Sequence, residues 1–410
     1  MKNTNSARIF KFLLLFIVLP FYGQTDSLRV MSYNLLQYPS GTTYSRENYL
    51  SAVVNEYRPD IFTVCEMEDD IVASQVLTSV LQPLNSAYRQ AVFEYNHSDP
   101  NSNMQQFLYY NSNKLVLYDQ SYLITEVRDI NRYDLYLKTN SLAAGDTLFL
   151  HVYVVHLKAS GGTENENKRL RMLQVLTADA QTIPPEHYVL VAGDFNFYYD
   201  GEPGFAEITD TTHTPVFADP IQREGYWHNN SSFADVHTQS PNRSKGGNFV
   251  GGGMDDRFDF IFTSVNLLQS AEPLHYRTGS YAAFGNNGNC FNGNINDPAC
   301  SGTYSQSLRD NLYEMSDHIP VVLTLETNHT FSITGETVAA FSLYPNPAGE
   351  WLHLRGNTDG NFQIFTPAGK IVRRDLEGNA GKWYIGDLKP GIYYVQSQNK
   401  AGIPVAFIKL

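Results

Sequence analysis

Basic residues are in short supply: 29 Lys and Arg stand against 42 Asp and Glu, a formal net charge of −13. That balance argues against a protein that coats nucleic acid through a broad basic face, and leaves room only for a local basic cleft. Charged residues make up 17% of the chain and aromatics 13%, which fits a Tyr-rich, β-rich extracellular protein better than a disordered or coiled one. Cysteine is scarce, with three in 410 residues. Cys290 and Cys300 bracket a Gly/Asn-rich loop and can pair in an oxidising compartment. Cys65, before Glu66 at the end of an apolar strand, reads as a buried free thiol. Beyond the N-terminus no apolar run is long enough to cross a membrane.

What is present divides the chain. Residues 1–23 read as a signal peptide: Lys2, Arg8 and Lys11 precede the apolar run Phe12 to Leu19, with Gly23 as the expected cleavage position. From Leu28, strands alternate with helices. Leu28 to Leu36 is a strand ending near Asn34, and Ser45 is the expected N-cap of a helix with Leu50, Val53, Val54 and Tyr57 on its apolar face. Asp60 to Glu66 is the next strand, followed by a helix carrying Ala73, Val76, Leu77, Val80 and Leu81. Phe107 to Tyr118 reads as two strands around a turn at Asn111 to Asn113. Further strands are expected at Tyr133 to Leu137, Leu148 to Leu157, Val189 to Ala192, Arg257 to Phe262 and Val321 to Leu325, with a helix over Glu164 to Ala180. The pattern predicts a layered α/β domain over 26–326. A polar linker, 327–340, then leads to short strands with Gly turns over 341–410, a small all-β sandwich without a His/Asp/Glu cluster.

Polar residues recur where the strands stop. Asp194 and Asn196 lie two positions apart after Gly193, one an acceptor and the other a donor, suited to activating a water and stabilising a developing oxyanion. Asn34, Glu66 and Asp317 offer hard oxygen ligands for Mg2+ or Mn2+; a zinc site would want several His or Cys. His318 can reach a phosphoryl oxygen while Asp259 holds its imidazole. Lys158 lies near His156, and Lys168, Arg169, Arg171, Arg243, Lys245 and Arg257 suggest a positive rim at the same mouth. Any one of these is more simply a turn former or a surface charge; the argument rests on their convergence at one set of strand ends.

Ser32-Tyr33-Asn34, Cys65-Glu66-Met67, Val155-His156-Leu157-Lys158, Gly193-Asp194-Phe195-Asn196, Arg257-Phe258-Asp259-Phe260 and Ser316-Asp317-His318, in that order, resemble the motifs of the endonuclease/exonuclease/phosphatase superfamily. The resemblance implies a four-layer α/β/β/α sandwich and a divalent-metal-dependent phosphoesterase acting by in-line attack of water. Asn34, Glu66 and Asp317 would surround Mg2+, with Mn2+ or Ca2+ as alternatives. Asp194 would orient or deprotonate the water, and Asn196 would contact the phosphorane. Asp259 and His318 would form an acid–histidine pair, and His156 a second histidine assisting the leaving group. Arg132 and Lys158 would contact substrate phosphate. The first expectation is an extracellular nuclease acting as a monomer; the alternatives are a phosphatase or phosphodiesterase for phospholipid or small organic phosphates, or an inactive exported binding module. The C-terminal module, with Tyr344-Pro345-Asn346-Pro347 and Leu388-Lys389-Pro390-Gly391, resembles the type A sorting domain of the type IX secretion system. It implies the secretion machinery as a partner and a final location at the cell surface or in the medium.

Overall fold

The computed structural model describes residues 26–331, 341–356, 360–366, 370–377, 381–397 and 405–410. The expected signal peptide and most of the expected linker lie outside them. The chain forms two compact units, one reaching Phe331 and the other beginning at Ser332.

In the first unit the strands are β1 (Asp26–Tyr38), β2 (Ile61–Met67), β3 (Tyr88–Gln90), β4 (Gln105–Asn111), β5 (Leu115–Leu123), β6 (Ile130–Leu137), β7 (Phe149–His156), β8 (Tyr188–Asp194), β9 (Phe217–Ala218), β10 (Asp259–Ser264), β11 (Leu274–Tyr276), β12 (Ala282–Ala283) and β13 (Val321–Thr327). The helices are α1 (Glu47–Tyr57), α2 (Asp70–Gln75), α3 (Thr163–Ala180), α4 (Pro203–Ile208) and α5 (Gln306–Met315). One sheet runs β11-β13-β1-β2-β4-β3, with β12 also on β13, and the other runs β5-β6-β7-β8-β10-β9. Each sheet contains one parallel pair joined through a helix, β1–β2 through α1 and β7–β8 through α3. Those are the crossovers that the alternating pattern predicts. The turn at Asn111 to Asn113 does not close a hairpin, because β4 and β5 belong to different sheets.

Side-chain alternation builds the layers. On β7 and β8, Leu150, Val152, Val154, Leu190 and Ala192 enter the core shared with the first sheet. Their neighbours Tyr153, Val155, Val189 and Val191 pack on the other side with Met172, Leu173 and Leu176 of α3 and Phe205 of α4. Leu50, Val53 and Val54 of α1 and Leu308, Leu312 and Met315 of α5 cover the first sheet. The architecture is the expected four-layer α/β/β/α sandwich.

Local signals differ in detail. Arg46 rather than Ser45 precedes α1, without a side-chain cap. After Gln75 the second helix continues as a wider turn over Val76–Leu81. β13 runs to Thr327, and Phe331 bridges to Thr139, so the first unit takes in the start of the expected linker. Cys290 and Cys300 are joined as a disulfide, and Cys65 is free and buried.

The second unit holds a three-stranded sheet (Phe341–Tyr344, Trp351–Gly356, Lys382–Tyr384) and a four-stranded one (Asn361–Phe365, Ile371–Glu377, Gly391–Ser397, Val405–Lys409), both antiparallel. Leu352 and Leu354 from one meet Phe362, Ile364, Val395 and Phe407 from the other in a separate small core.

Candidate active site

The alternation that fills the inter-sheet core also aims the polar strand ends. His156 follows Val152 and Val154 in parity, Asp194 follows Leu190 and Ala192, and Asp259 pairs directly with Asp194 across β10–β8. All three therefore point between the sheets, at the edge where the apolar filling stops. Gly193 makes this approach possible: a Cβ there would stand 2.0 Å from the Val155 carbonyl oxygen, and its φ is +141°.

From the other sheet, β1 bends after Asn34. Its pairing with β2 slips between Asn34 and Tyr38, and Leu36 and Gln37 adopt φ of 51° and 40°. The bend turns two backbone N–H groups inward, Leu36 onto Asn34 Oδ1 (3.0 Å) and Gln37 onto Glu66 Oε2 (2.9 Å). Glu66 itself has φ 63°, the kind of local strain that clusters at functional sites. Buried Arg46 holds the bend by donating to the carbonyls of Leu35, Leu36 and Met315, which ties it to the approach to Asp317.

Asn34 Nδ2 donates to Glu66 Oε1 (3.0 Å) and Asp194 Oδ2 (3.1 Å). Asn34 thus links the two carboxylates through its amide nitrogen while its amide oxygen accepts the Leu36 N–H. Asp194 Oδ1 accepts the Asn196 N–H at 3.0 Å, and Asn196 has φ 53°. His318 Nδ1 meets Asp259 Oδ2 at 2.7 Å, while its Nε2 lies 3.7 Å from Asp194 Oδ2 and 2.7 Å from Gln239 Nε2. His156 Nε2 lies 3.6 Å from Asp194 and 3.7 Å from Glu66, and its Nδ1 is buried without a partner. Asp317 Oδ2 accepts the Val250 N–H at 3.1 Å.

Burial and crowding set the charges. Burial, then the neighbouring Asp259 and Glu66, push Asp194 up to about 7 against the opposing pull of His318. Burial and Glu66 push Asp317 up to about 6. His318 is raised well above the ordinary range because Asp259 and Asp194 outweigh its own burial. Burial, with Arg128 and His318 nearby, depresses His156 well below the ordinary range. Carboxylates that raise one another's pKa are what a divalent cation relieves, and the oxygen donors of Glu66 and Asp317 fit Mg2+ chemistry. Among the described residues no three His, Cys, Asp or Glu side chains close into a ready metal cage. A cation held by Glu66 and Asp317 would complete its shell with water, as Mg2+ does.

Two expected phosphate contacts separate. Arg132 lies opposite Tyr153, whose side chain faces α3, and its guanidinium is engaged by Asp134 (2.8 Å) and Asp179 (3.1 Å). Strand parity takes it to the outer face, away from the cluster. The arginine that reaches the mouth is Arg128, just before β6, donating to the carbonyls of Leu157 (3.0 Å) and His156 (3.3 Å). Lys158 stays at the mouth after β7, with its ammonium on Ala159 O. Much of the expected basic rim is paired elsewhere. Arg169 is buried against Glu202, Arg257 against Asp219, Arg171 meets Glu126, and Lys245 meets Glu314. Gln239, Arg128 and Arg46 were not legible as site residues: they sit in or beside aperiodic loops, where only the register of a partner strand could have placed them.

The solved structures to which the chain is similar include the following three. An endonuclease/exonuclease/phosphatase family protein from Bacteroides thetaiotaomicron shows 15% identity and a TM-score of 0.46, over 74% of this chain and 99% of that one. D. rerio TDP2 complexed with single strand DNA product shows 15% identity and a TM-score of 0.45, over 74% and 100%. A mannosyl-6-phosphatase from Bacteroides thetaiotaomicron shows 13% identity and a TM-score of 0.44, over 73% and 99%. No curated protein matches the chain. Residues 342–408 match the secretion system C-terminal sorting domain, of the type IX system, which directs export to the cell surface or the medium. Residues 31–318 match the Endonuclease/Exonuclease/phosphatase family, and the chain belongs to it.

Proposed function

We propose that this exported protein is a divalent-metal-dependent phosphoesterase that hydrolyses its substrate by in-line attack of water. Members of the family act on phosphoester bonds. The observation that carries the reading here is the convergence of Glu66, Asp194, Asp259 and Asp317 with His156 and His318 at one inter-sheet mouth. Glu66 and Asp317 would hold the cation, which supplies charge neutralisation to the phosphate when bound. Asp194, fixed by Asn34 and Asn196, orients the water and accepts its proton. The His318 imidazolium, backed by Asp259, offers positive charge where the phosphorane accumulates negative charge. Asn196 Nδ2, 3.4 Å from Leu157 O, is a second donor at the same edge.

Nucleic acid is the less supported substrate. A polyanion is held by many Lys and Arg contacts, and Arg169, Arg171, Lys245 and Arg257 are already ion-paired. The unequal distribution of cations favours a small phosphoester that needs one or two contacts, with Arg128 and Lys158 closest to hand. The test is hydrolysis of p-nitrophenyl mono- and diesters, sugar phosphates, DNA and sphingomyelin by the purified chain with Mg2+, Mn2+ or EDTA. Chelation should abolish turnover and either metal restore it; full activity in EDTA removes the reading.

A further inference from the structure

Beside the cluster stands a second histidine–carboxylate pair that the mechanism above does not use. His228 Nδ1 lies 2.6 Å from Asp256 Oδ1. The His228 side chain is 38% exposed, whereas Asp256 is 12% exposed. The hydrogen bond at Nδ1 fixes the ring so that Nε2 faces outward, and among the described residues Nε2 has no hydrogen-bond partner.

Two chains of contacts tie this pair to the mouth. Along the first, the Tyr198 ring, two residues past Asn196, packs edge-on against His228 at 5.1 Å and against Phe258 at 5.0 Å; Phe258 precedes Asp259. His228 N–H also donates to Tyr198 O at 3.3 Å. Along the second, the Asp256 backbone pairs with Gln239, whose amide touches His318. Asp256 lies near enough to His318 for the imidazolium to pull its pKa down, although burial dominates and leaves it raised to about 6. Tyr198 likewise senses the charge of Asp194. Asp255, His237 and Tyr226 are further titratable groups near the ring.

The three histidines thus differ in what they can do. His318 is enclosed between Asp259 and Asp194, and His156 is enclosed between Glu66 and Asp194. Of these three, His228 alone combines a carboxylate-held Nδ1 with an open Nε2, the arrangement that serves proton transfer to a group arriving from solvent. We infer that His228, oriented by Asp256, is the general acid that protonates the leaving oxygen of the substrate, the role expected from sequence for His156. The inference rests on the phosphoesterase reading. As the water oxygen forms its bond to phosphorus, the bond from phosphorus to the leaving oxygen breaks. The water gives its proton to Asp194, and protonated His228 gives its Nε2 proton to the departing oxygen. The products are an alcohol and a phosphate, and both side chains exchange protons with solvent to reset.

A leaving-group comparison tests this. A p-nitrophenolate departs as the anion without help, whereas an alkoxide needs a proton. His228→Gln should lower kcat on an alkyl phosphoester by about 10²- to 10⁴-fold while leaving kcat on the matching p-nitrophenyl ester, and KM for both, near wild type. Asp256→Asn should show the same selectivity with a smaller loss, because it frees the ring without removing it. Circular dichroism and thermal melting check that each variant is folded, and Asp256→Asn carries the test should His228→Gln fail to fold. Equal losses on both esters, or full activity on both, overturns the inference. Failure of the underlying reading looks different: the wild-type chain cleaves neither ester, or Asp194→Asn is as active as wild type.

Discussion

Two histidine–aspartate pairs, each with its aspartate on the second sheet, look alike by distance alone. His318 meets Asp259 at 2.7 Å, at the mouth between the sheets. His151 meets Asp134 at 2.6 Å, on the face of β7 opposite the inter-sheet core. Their surroundings separate them. Asp134 also receives Arg132, which with His151 holds its carboxyl below the usual range despite burial. The other nitrogen of His151 is occupied by His187 at 2.9 Å. That pair is closed at both ends. At the mouth, His318 Nε2 faces Asp194 and Gln239, and Asp194 is left with a raised pKa. A histidine–carboxylate contact is therefore structural or chemical according to what its free nitrogen meets, and the pair distance does not decide it.

The largest expected effect breaks that comparison directly. His318→Gln removes positive charge from the developing phosphorane and should cost about 10²- to 10⁴-fold in kcat with the fold retained. His151→Gln should leave kcat unchanged and instead lower stability by about 1–3 kcal/mol, because Asp134 and His187 lose a buried partner. Steady-state kinetics and thermal melting on both variants decide the matter. Similar kinetic losses in the two would show that the site has been placed wrongly.

A smaller effect concerns two arginines, one in β6 and one just before it. Arg128→Ala should raise KM roughly 10- to 100-fold, the worth of one charge-assisted contact to phosphate. Arg132→Ala should leave KM alone and destabilise the chain, since it strips Asp134 and Asp179 of their partner. The reverse result would restore Arg132 to the cleft.

The same contrast shows how much the sequence could say. Strand ends were legible because an apolar run stopping at a polar residue marks both the strand and its mouth, as at Val189 to Asp194. The polar residues that carry strand parity, His156, Asp194 and Asp259, were legible with them. Arg132 was misread because facing is set by register against β7, and no feature of Asn131-Arg132-Tyr133 reveals that register. The irregular stretch from Asp219 to Gly253 has no periodicity, so His228 and Gln239 could not be placed against Asp256 and His318 from sequence. The turn at Asn111 to Asn113 was read correctly as a turn, but its flanking strands join different sheets, which turn chemistry cannot report. Helix α5 went unread between a Gly/Asn-rich loop and the Asp317 motif. Its signal was present in the Ser305 cap, which accepts from Leu308 N at 3.2 Å, and in Leu308, Leu312 and Met315 at helical spacing.

The smallest expected effect is the one that separates substrates. At this mouth the cations are few, and those nearby are largely neutralised: Arg169 and Glu202 are both fully buried, and Lys245 sits over the rings of Phe249 (4.4 Å) and Tyr313 (4.7 Å) while bonded to Glu314. A bound polyanion releases about 0.9 counterion for each phosphate it has neutralised, so a nuclease with several contacts loses affinity steeply as salt rises. A small phosphoester held by Arg128 and Lys158 releases few, and the overall charge of −13 repels a long polyanion from the rest of the surface. kcat/KM for a small ester should therefore change little between low and moderate NaCl, and DNA should be cleaved poorly at every salt concentration. Efficient, steeply salt-dependent cleavage of plasmid DNA would mean that the ion pairs at Arg169, Arg171, Lys245 and Arg257 open on binding, and would return the nuclease reading to first place.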